Sequence, residues 1–265
     1  MQHIIITGGS SGIGKATALK FAQQNAKLSI LARDSAKLDA AKAELEAVTS
    51  QQVLALSADV SDRTAAETAI QTAIDRQGIP DLLVLSAGIA QPGYVTDLDT
   101  DTYERAMSVN YFGSLYCTRA VLPAMIQRRR GHLVFLSSGA GLVGLFGYSA
   151  YSPSKFAVRG LAESLRGELK PQGIGVSVVY PPDTDTPQLA EENRTKPPET
   201  QAITATAKLW TPDAIAREIV KGVRQNRFVI APGLMMGMLA RFHGAIDPLL
   251  EGYFDRVVAK FQKLS

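Results

Sequence analysis

The chain has 265 residues, of which 46% are hydrophobic and 20% charged, with a formal net charge of +3 at pH 7. This length and composition predict one domain with a large core, and the mixing of basic with acidic residues argues against a nucleic-acid partner. The single cysteine, Cys117, excludes an internal disulfide. No apolar run reaches the roughly 18 residues that span a bilayer, and a strand-like run stands where a signal peptide would lie. We therefore expect a cytoplasmic protein whose only membrane contact would be peripheral, at the cytoplasmic face.

Strand-like and helix-like segments alternate along the whole chain. Short runs rich in leucine and β-branched residues predict seven buried strands, at 4–7, 27–31, 53–57, 82–86, 132–137, 176–180 and 228–231. Apolar residues at three- and four-residue spacing predict helices over 13–24, 35–48, 63–76, 102–127, 154–169 and 212–224. Because a helical connection brings the chain back to the same end of the sheet, the strands must pair in parallel. The predicted fold is one doubly wound α/β domain of Rossmann type over residues 1–265, with a seven-stranded parallel sheet and helices on both faces.

Two segments carry no clear period. Residues 182–210 follow the sixth strand and are rich in Pro, Thr and Glu, which fits either a lid over the substrate or a mobile surface loop. Residues 232–265 form a C-terminal tail in which Met, Leu, Phe and Val alternate with Arg and Lys. This pattern is typical of a helix on a membrane surface. It equally fits a helix that packs on the core or on another subunit.

A glycine-rich loop joins the first predicted strand to the first helix. Glycine permits positive φ and close backbone approach, and the amides at a helix N-terminus attract anions, so the loop predicts a dinucleotide pyrophosphate site. A P-loop for a nucleoside triphosphate is the alternative, but Ala16 stands where that motif needs a magnesium-binding hydroxyl, and Thr17 comes one residue late. The predicted contacts of the loop with the cofactor are Gly8, Ser10, Ser11, Gly12, Ile13 and Gly14.

The residues after the second strand bear on the choice of cofactor. They lie about 20 residues beyond the glycine loop, where a basic side chain meets the extra phosphate of NADP and an acidic one binds the ribose of NAD. Arg33 is placed for that phosphate, with Lys37 assisting. Asp34 leaves NAD open, although it can instead cap the helix that begins at Ser35. The sequence predicts NADPH, and it predicts no metal site.

A second group of residues carries proton-transfer chemistry. Tyr151 and Lys155 are four apart and so share one helix face. A nearby ammonium, helped by an oxidised nicotinamide, would lower the pKa of the phenol and make it an acid-base catalyst. Ser138, at the end of the fifth strand, is placed to hydrogen-bond a substrate carbonyl, with Ser137 pointing to the other side. Asn110 either packs as a polar helix residue or helps hold a water that links Lys155 to solvent.

Together these motifs resemble those of the short-chain dehydrogenase/reductase family, over residues 1 to about 231. The resemblance implies that Tyr151 is the general acid in carbonyl reduction and that Lys155 lowers its pKa and binds the nicotinamide ribose. It implies that Ser138 orients the carbonyl, that Asn110 supports the proton relay and that the protein is a homo-oligomer, a dimer or tetramer. Ser86 departs from the family's usual Asn-Ala-Gly turn. Further implied cofactor contacts are Asp59, Val60, Ala87, Gly88, Pro181 and Thr184.

The residues after the sixth strand resemble a narrower group within that family. Pro181-Pro182 and the string at 191–197 are similar to those of the 3-ketodihydrosphingosine reductases, as are 144–147 and 156–163. This resemblance implies NADPH-dependent reduction of a long-chain keto lipid to dihydrosphingosine, in sphingolipid synthesis. One alternative keeps the chemistry and changes the substrate to a steroid, retinal or a 3-oxoacyl thioester. The other is a non-catalytic NADPH-binding scaffold.

Overall fold

A seven-stranded sheet organises the chain. The computed structural model describes residues 2–205 and 207–262. Residue 206 of the predicted lid and residues 1 and 263–265 of the predicted domain and tail lie outside the described residues. The strands are β1 (His3–Thr7), β2 (Lys27–Ala32), β3 (Val53–Ser57), β4 (Leu82–Leu85), β5 (Gly131–Leu136), β6 (Ile174–Val179) and β7 (Val229–Ile230).

Helices connect these strands. In chain order they are α1 (Gly12–Ala22), α2 (Ser35–Glu46), α3 (Arg63–Gln77), α4 (Thr100–Ala106), α5 (Gly113–Gln127), α6 (Tyr151–Leu169), α7 (Pro187–Thr195), α8 (Pro198–Thr204), α9 (Pro212–Arg224) and α10 (Gly233–Gln262). A π-helical segment, Met107–Phe112, lies between α4 and α5. Short 3₁₀ turns occupy Gly139–Gly141 and Lys170–Gln172.

All the strand pairs are parallel, in the order β3-β2-β1-β4-β5-β6-β7. The prediction of a doubly wound, seven-stranded parallel sheet is therefore confirmed. The chain winds outward from β1 to β3 and then crosses to β4 on the other side of β1. In sheets of this kind the strand order reverses at such a point, and the loops that leave β1 and β4 diverge to form a ligand-binding crevice. The glycine loop and the loop after β4 are those two loops.

Both faces of the sheet are buried. Ile5 belongs to the apolar cluster on one face, whereas Ile4 and Ile6 belong to the cluster on the other, as the alternation of side chains in a strand requires. A strand that is covered on both faces favours apolar residues at successive positions, since neither side faces water. This preference explains the continuous apolar runs by which the strands could be recognised.

Most helix bounds differ from the prediction by one or two residues, and two larger differences affect the candidate site. The helix predicted over 102–127 is interrupted by the π-helical turn, whose wider winding turns Asn110 into the interior, where it is almost fully buried. Helix α6 begins at Tyr151, three residues earlier than predicted. Pro153 lies in the first turn of this helix, where a proline fits because the amide it lacks would have no partner.

The two segments without a clear period also contain helices. The segment over 182–210 includes α7 and α8, and its ends are held together because Trp210 N–H donates to the Asp183 carbonyl and Asp185 N–H donates to the Trp210 carbonyl, both at 2.9 Å. The tail forms α10, which is kinked at Phe242. Within the described ranges, no helix is both long and apolar enough to cross a membrane.

Candidate active site

The glycine loop packs so closely that side chains would not fit. Gly8 has φ +68°, and a Cβ on it would lie 2.8 Å from the amide nitrogen of Ala87. A Cβ on Gly14 would overlap the Gly8 carbonyl oxygen. Gly12, with φ +52°, faces Thr186 of the segment before α7. Glycine thus lets the loop turn tightly against its protein neighbours, and Gly8 and Gly12 lie at the cavities where a pyrophosphate would bind.

Two adjoining cavities extend from this loop. Both are lined by Gly8, Ser11, Ala87 and Gly88, which lie where the cavities meet. The first cavity runs toward β2 and β3, and the second cavity runs toward α6 and α7. The first is also lined by Ser10, Arg33, Lys37, Asp59 and Val60, and the second by Gly12, Ile13, Ser138, Tyr151, Lys155, Pro181 and Thr184. Two of the predicted site residues, Gly14 and Asn110, line neither cavity. They pack behind the loops that form the cavity walls.

The residues that suggested a P-loop point away from the cavities. Lys15 Nζ donates to both carboxylate oxygens of Glu44, at 3.0 and 2.9 Å. The Thr17 hydroxyl donates to the Ile13 carbonyl at 2.8 Å and is fully buried. Neither side chain can reach a phosphate or a magnesium ion in the loop, so the geometry agrees with the dinucleotide interpretation.

Two basic side chains stand at the outer end of the first cavity. Arg33 and Lys37 are both well exposed, and their nearest acidic groups are Asp59, at 3.9 Å from Arg33, and Asp34, at 3.6 Å from Lys37. The Asp34 carboxylate accepts from the backbone N–H of Lys37 at 3.0 Å and so caps α2. This hydrogen bond lowers the pKa of Asp34. Asp34 therefore stays ionised while it caps α2, and two cations and two carboxylates, Asp34 and Asp59, share this end of the cavity.

Tyr151 and Lys155 lie together in the wall of the second cavity. Both are buried in the first turns of α6, with the ammonium 5.5 Å from the centre of the phenol ring. Lys155 Nζ donates to the Leu136 carbonyl, at the end of β5, at 2.9 Å. An ammonium has three donors, and the described residues engage one of them by a hydrogen bond. Two donors therefore remain for a ligand.

Burial dominates the protonation of this pair. It raises the pKa of Tyr151, and the negative charge of Glu192 adds to the rise, while contacts with the side chains of Ser138 and Gln188 oppose it. Burial also lowers the pKa of Lys155 to about 8, against the charge of Glu192. The sequence predicted a lowered pKa for the phenol when an oxidised nicotinamide is bound beside it. In the protein alone, burial and the charge of Glu192 outweigh the contacts that lower this pKa, so it is raised. At pH 7 the phenol is neutral and can donate a proton.

The adjacent serines have different surroundings. The Ser137 hydroxyl is buried and donates to the Lys155 carbonyl at 2.9 Å, so it anchors α6 to the end of β5. Ser138 caps the following 3₁₀ turn, where its hydroxyl oxygen accepts from the Ala140 N–H at 3.2 Å, and it lines the second cavity. The Ser138 hydroxyl also contacts the Tyr151 side chain, beside which a substrate carbonyl would lie. Both serines line the second cavity, so the opposite orientation of the two side chains stays a prediction.

Asn110 organises the loop after β4. Its carboxamide accepts from the Ile89 N–H at 2.9 Å and donates to the Ile89 carbonyl at 3.0 Å and to the Ser154 hydroxyl at 2.8 Å. A Cβ on Gly88 would stand 3.1 Å from the Asn110 carboxamide oxygen and 3.4 Å from Lys155 Nζ. Asn110 is thus a packed polar residue that borders the lysine. The water that it was predicted to hold stays a prediction.

Sequence reasoning missed a group of polar residues on α7 and on the loop before α6. The Tyr148 hydroxyl donates to Glu192 Oε2 at 2.6 Å, and Gln188 Nε2 donates to Glu192 Oε1 at 2.9 Å. These three residues and Asp183 line the second cavity. Glu192 belongs to the string that carried the resemblance to a narrower group, but nothing in its spacing signalled a position beside Tyr151.

Comparisons with known proteins agree with this geometry. The short chain dehydrogenase profile matches residues 2–197. A 3-ketodihydrosphingosine reductase from Bos taurus is 46% identical over 257 residues, which are 94% of this chain and 77% of the relative.

Solved structures share the fold. A short-chain dehydrogenase from Sphingobium yanoikuyae in complex with NADPH superposes with a TM-score of 0.81 at 27% identity, over 95% of this chain and 96% of that one. A short chain dehydrogenase/reductase from Burkholderia phymatum in complex with NAD has a TM-score of 0.82 at 24% identity, over 92% and 94% of the two chains. Proteins of this fold thus bind either nicotinamide cofactor. On the profile match and the bovine relative, the chain belongs to the short-chain dehydrogenase family of oxidoreductases.

Proposed function

We propose that the protein reduces the ketone of 3-ketodihydrosphingosine to dihydrosphingosine, using NADPH, in sphingolipid synthesis. The identity to the bovine 3-ketodihydrosphingosine reductase, over 94% of the chain, carries the choice of substrate. The buried Tyr151 and Lys155 beside a cavity carry the choice of chemistry. A protein that only bound the cofactor would have no use for a neutral buried phenol next to an ammonium.

The proton chemistry follows from the placement of three side chains. NADPH, when bound, would supply the hydride for the carbonyl carbon. The Tyr151 hydroxyl donates its proton to the carbonyl oxygen, while the Ser138 hydroxyl hydrogen-bonds to the same oxygen and holds it in place. The Lys155 ammonium stabilises the phenolate left on Tyr151, and its two remaining donors bind the nicotinamide ribose. Asn110 supports the route by which a proton returns to Lys155.

The two cavities meet at the glycine loop, as the two halves of a dinucleotide meet at its pyrophosphate. The glycine loop, which lines both cavities and leads into the N-terminus of α1, would hold the pyrophosphate. Asp59 and Val60 would contact the adenine, and Pro181 and Thr184 the nicotinamide end. We infer a preference for NADPH from the two exposed cations, Arg33 and Lys37, at the outer end of the first cavity.

The preference for NADPH can be tested at Arg33. Arg33→Ala should raise the KM for NADPH about 10- to 100-fold, because a charge-assisted hydrogen bond to the phosphate is lost. The KM for NADH, which lacks that phosphate, should change by less than about threefold. Steady-state kinetics with both cofactors measures this, with Arg63→Ala as the control, since Arg63 is an exposed arginine that pairs with Glu67. Equal losses with NADPH and NADH would contradict the assignment.

The overall activity is tested with the lipid itself. Oxidation of NADPH is followed with 3-ketodihydrosphingosine in mixed micelles, across a series of chain lengths. We expect substrate-dependent oxidation that becomes more efficient as the alkyl chain lengthens, because more apolar surface is buried. Turnover restricted to a steroid, retinal or a 3-oxoacyl thioester would keep the chemistry and overturn the substrate.

We also propose that α10 rests on a membrane surface. Its inner side, including Met236 and Val257, packs on the core. Its outer side exposes large apolar residues: Leu234, Met235, Met238, Phe242 and Leu249. Met236 also approaches Gly139, next to Ser138 in the second cavity. A lipid substrate would then enter the cavity from the bilayer on which the helix lies.

Membrane contact through α10 predicts a loss of vesicle binding when its outer side is made polar. Changing Leu234, Met235 and Met238 together to Ser should weaken binding to phosphatidylcholine vesicles about 100-fold or more, because each apolar side chain gains free energy on leaving water. Co-sedimentation measures the bound fraction. Val95→Ser, at an exposed apolar residue outside α10, is the control. Unchanged binding by the triple variant would refute the contact.

We propose that two copies of the chain pair through the helices on either side of β5, α5 and α6. Phe112, Ile126 and Phe156 are exposed apolar residues in or next to α5 and α6. Burying such residues against a symmetry-related copy is favourable, and a two-fold interface uses the same patch from both subunits.

A further inference from the structure

Glu192 is a buried carboxylate on the wall of the substrate cavity. Only 8% of its surface is exposed, although α7 has an outward-facing acidic neighbour, Glu191, which pairs with Arg194 at the surface. Tyr148 and Gln188 hydrogen-bond to its two oxygens. Within the residues that the structure describes, no lysine or arginine forms an ion pair with it. A carboxylate that is buried without a cationic partner is costly, so its position calls for an explanation.

This carboxylate lies next to the reacting position. Gln188 donates to Glu192 and also contacts the Tyr151 side chain, and the rings of Tyr148 and Tyr151 are 5.7 Å apart. Glu192 is therefore separated from the Tyr151 phenol by the width of one side chain. A second carboxylate, Asp183, lines the same cavity, in which Lys155 is the one basic residue among the described lining residues.

The proposed substrate has a cation at the matching place. In 3-ketodihydrosphingosine an amino group, protonated in water, is attached to the carbon next to the ketone. When the carbonyl oxygen is held by Tyr151 and Ser138, the ammonium must lie within a few bonds of them. Lys155 lies on α6, which leaves the α7 side of the cavity for a positively charged group.

We infer that Glu192 is the anionic half of an ammonium subsite, which selects α-amino ketones over ketones that lack the amine. The inference rests on the proposed function and adds to it the group that is recognised beside the carbonyl. Tyr148 and Gln188 satisfy one lone pair on each carboxylate oxygen and hold the carboxylate in place, and the substrate ammonium supplies the missing charge. The alternative is that Glu192 only fastens α7 over the cavity through Tyr148.

Two ketones separate these roles. One is 3-ketodihydrosphingosine, and the other is the ketone of the same chain length with hydrogen in place of the amino group. We expect Glu192→Gln to lower kcat/KM about 100-fold for the amino ketone, because a buried charge pair is lost. For the ketone without the amine the change should stay below about threefold. Gln has the size of Glu and can still accept from Tyr148, so the variant should fold, as thermal unfolding will report.

The ratio between the two substrates is the decisive quantity. Any effect of Glu192 on the pKa of Tyr151 acts on both ketones and cancels in this ratio. Glu191→Gln, one residue away on the outer side of α7, should change neither substrate. Equal losses on both ketones, or no loss on either, would assign Glu192 to holding α7 and overturn the inference while leaving the proposed function standing. Wild-type enzyme that reduces only the ketone without the amine, or neither ketone, would overturn the proposed function and this subsite with it.

Discussion

Tyr151→Phe is expected to lower kcat by about 10²- to 10⁴-fold, the range that a general acid contributes. The substitution removes one hydroxyl from a buried ring, so the cavity keeps its shape and only the proton donor is lost. Binding of NADPH, measured by its fluorescence in the absence of substrate, should stay within about threefold of the wild type, because the phenol oxygen contributes little to cofactor affinity.

The control is Tyr116→Phe, on α5, whose ring stacks on Phe112 outside both cavities. It should leave kcat unchanged. A Tyr151→Phe enzyme with near-normal turnover would mean that another group donates the proton, and Tyr148 would be the first to examine because it lines the same cavity.

Lys155→Met is expected to lower kcat/KM for NADPH and ketone by about 10²-fold or more. In the proposed mechanism the ammonium stabilises the phenolate that forms on Tyr151 and donates to the nicotinamide ribose, so its loss should affect both binding and chemistry. Thermal unfolding should show only a modest loss of stability from the Leu136 carbonyl left without its donor. Lys42→Met, at a surface lysine 3.9 Å from Glu46, should behave as the wild type.

The pH profile provides a second readout for the lysine. Burial lowers the pKa of Lys155 to about 8, so the ammonium is present below that pH and is lost as the pH rises through it. Wild-type reduction should therefore slow above about pH 8, whereas the pKa of Tyr151 is raised and keeps the phenol protonated there. In Lys155→Met the decrease near pH 8 should be absent. A decrease that persists in the variant would belong to another group.

The sheet could be predicted because its strands are buried on both faces. A run such as Ile4 to Ile6 has no polar residue, and the helical spacing between such runs leaves parallel pairing as the only arrangement. The bounds of the helices were harder to predict. The π-helical turn around Asn110 changes the winding by about one residue, which an apolar period of three to four residues cannot resolve. The start of α6 at Tyr151 was predicted three residues too late.

The candidate site, like the fold, could be predicted from the sequence only in part. Tyr151, Lys155 and the glycine loop lie within short stretches of sequence, so their spacing alone predicted a shared helix face and a bend for a phosphate. The roles of neighbouring residues depended on contacts between distant parts of the chain. Ser137 and Ser138 differ because one hydroxyl meets the Lys155 carbonyl, and Asp34 proved to cap α2.

By itself, the sequence determined the parallel α/β architecture, the cofactor loop and the paired phenol and ammonium, because each depends on local periodicity or on residues a few positions apart. Only the tertiary structure decided the environment of that pair. Folding brings Glu192 of α7 beside Tyr151 of α6, 41 positions earlier in the chain. Burial then raises the pKa of the phenol and lowers that of the lysine. Desolvation and charge act through space, and so depend on which segments pack together rather than on the residues of any one segment.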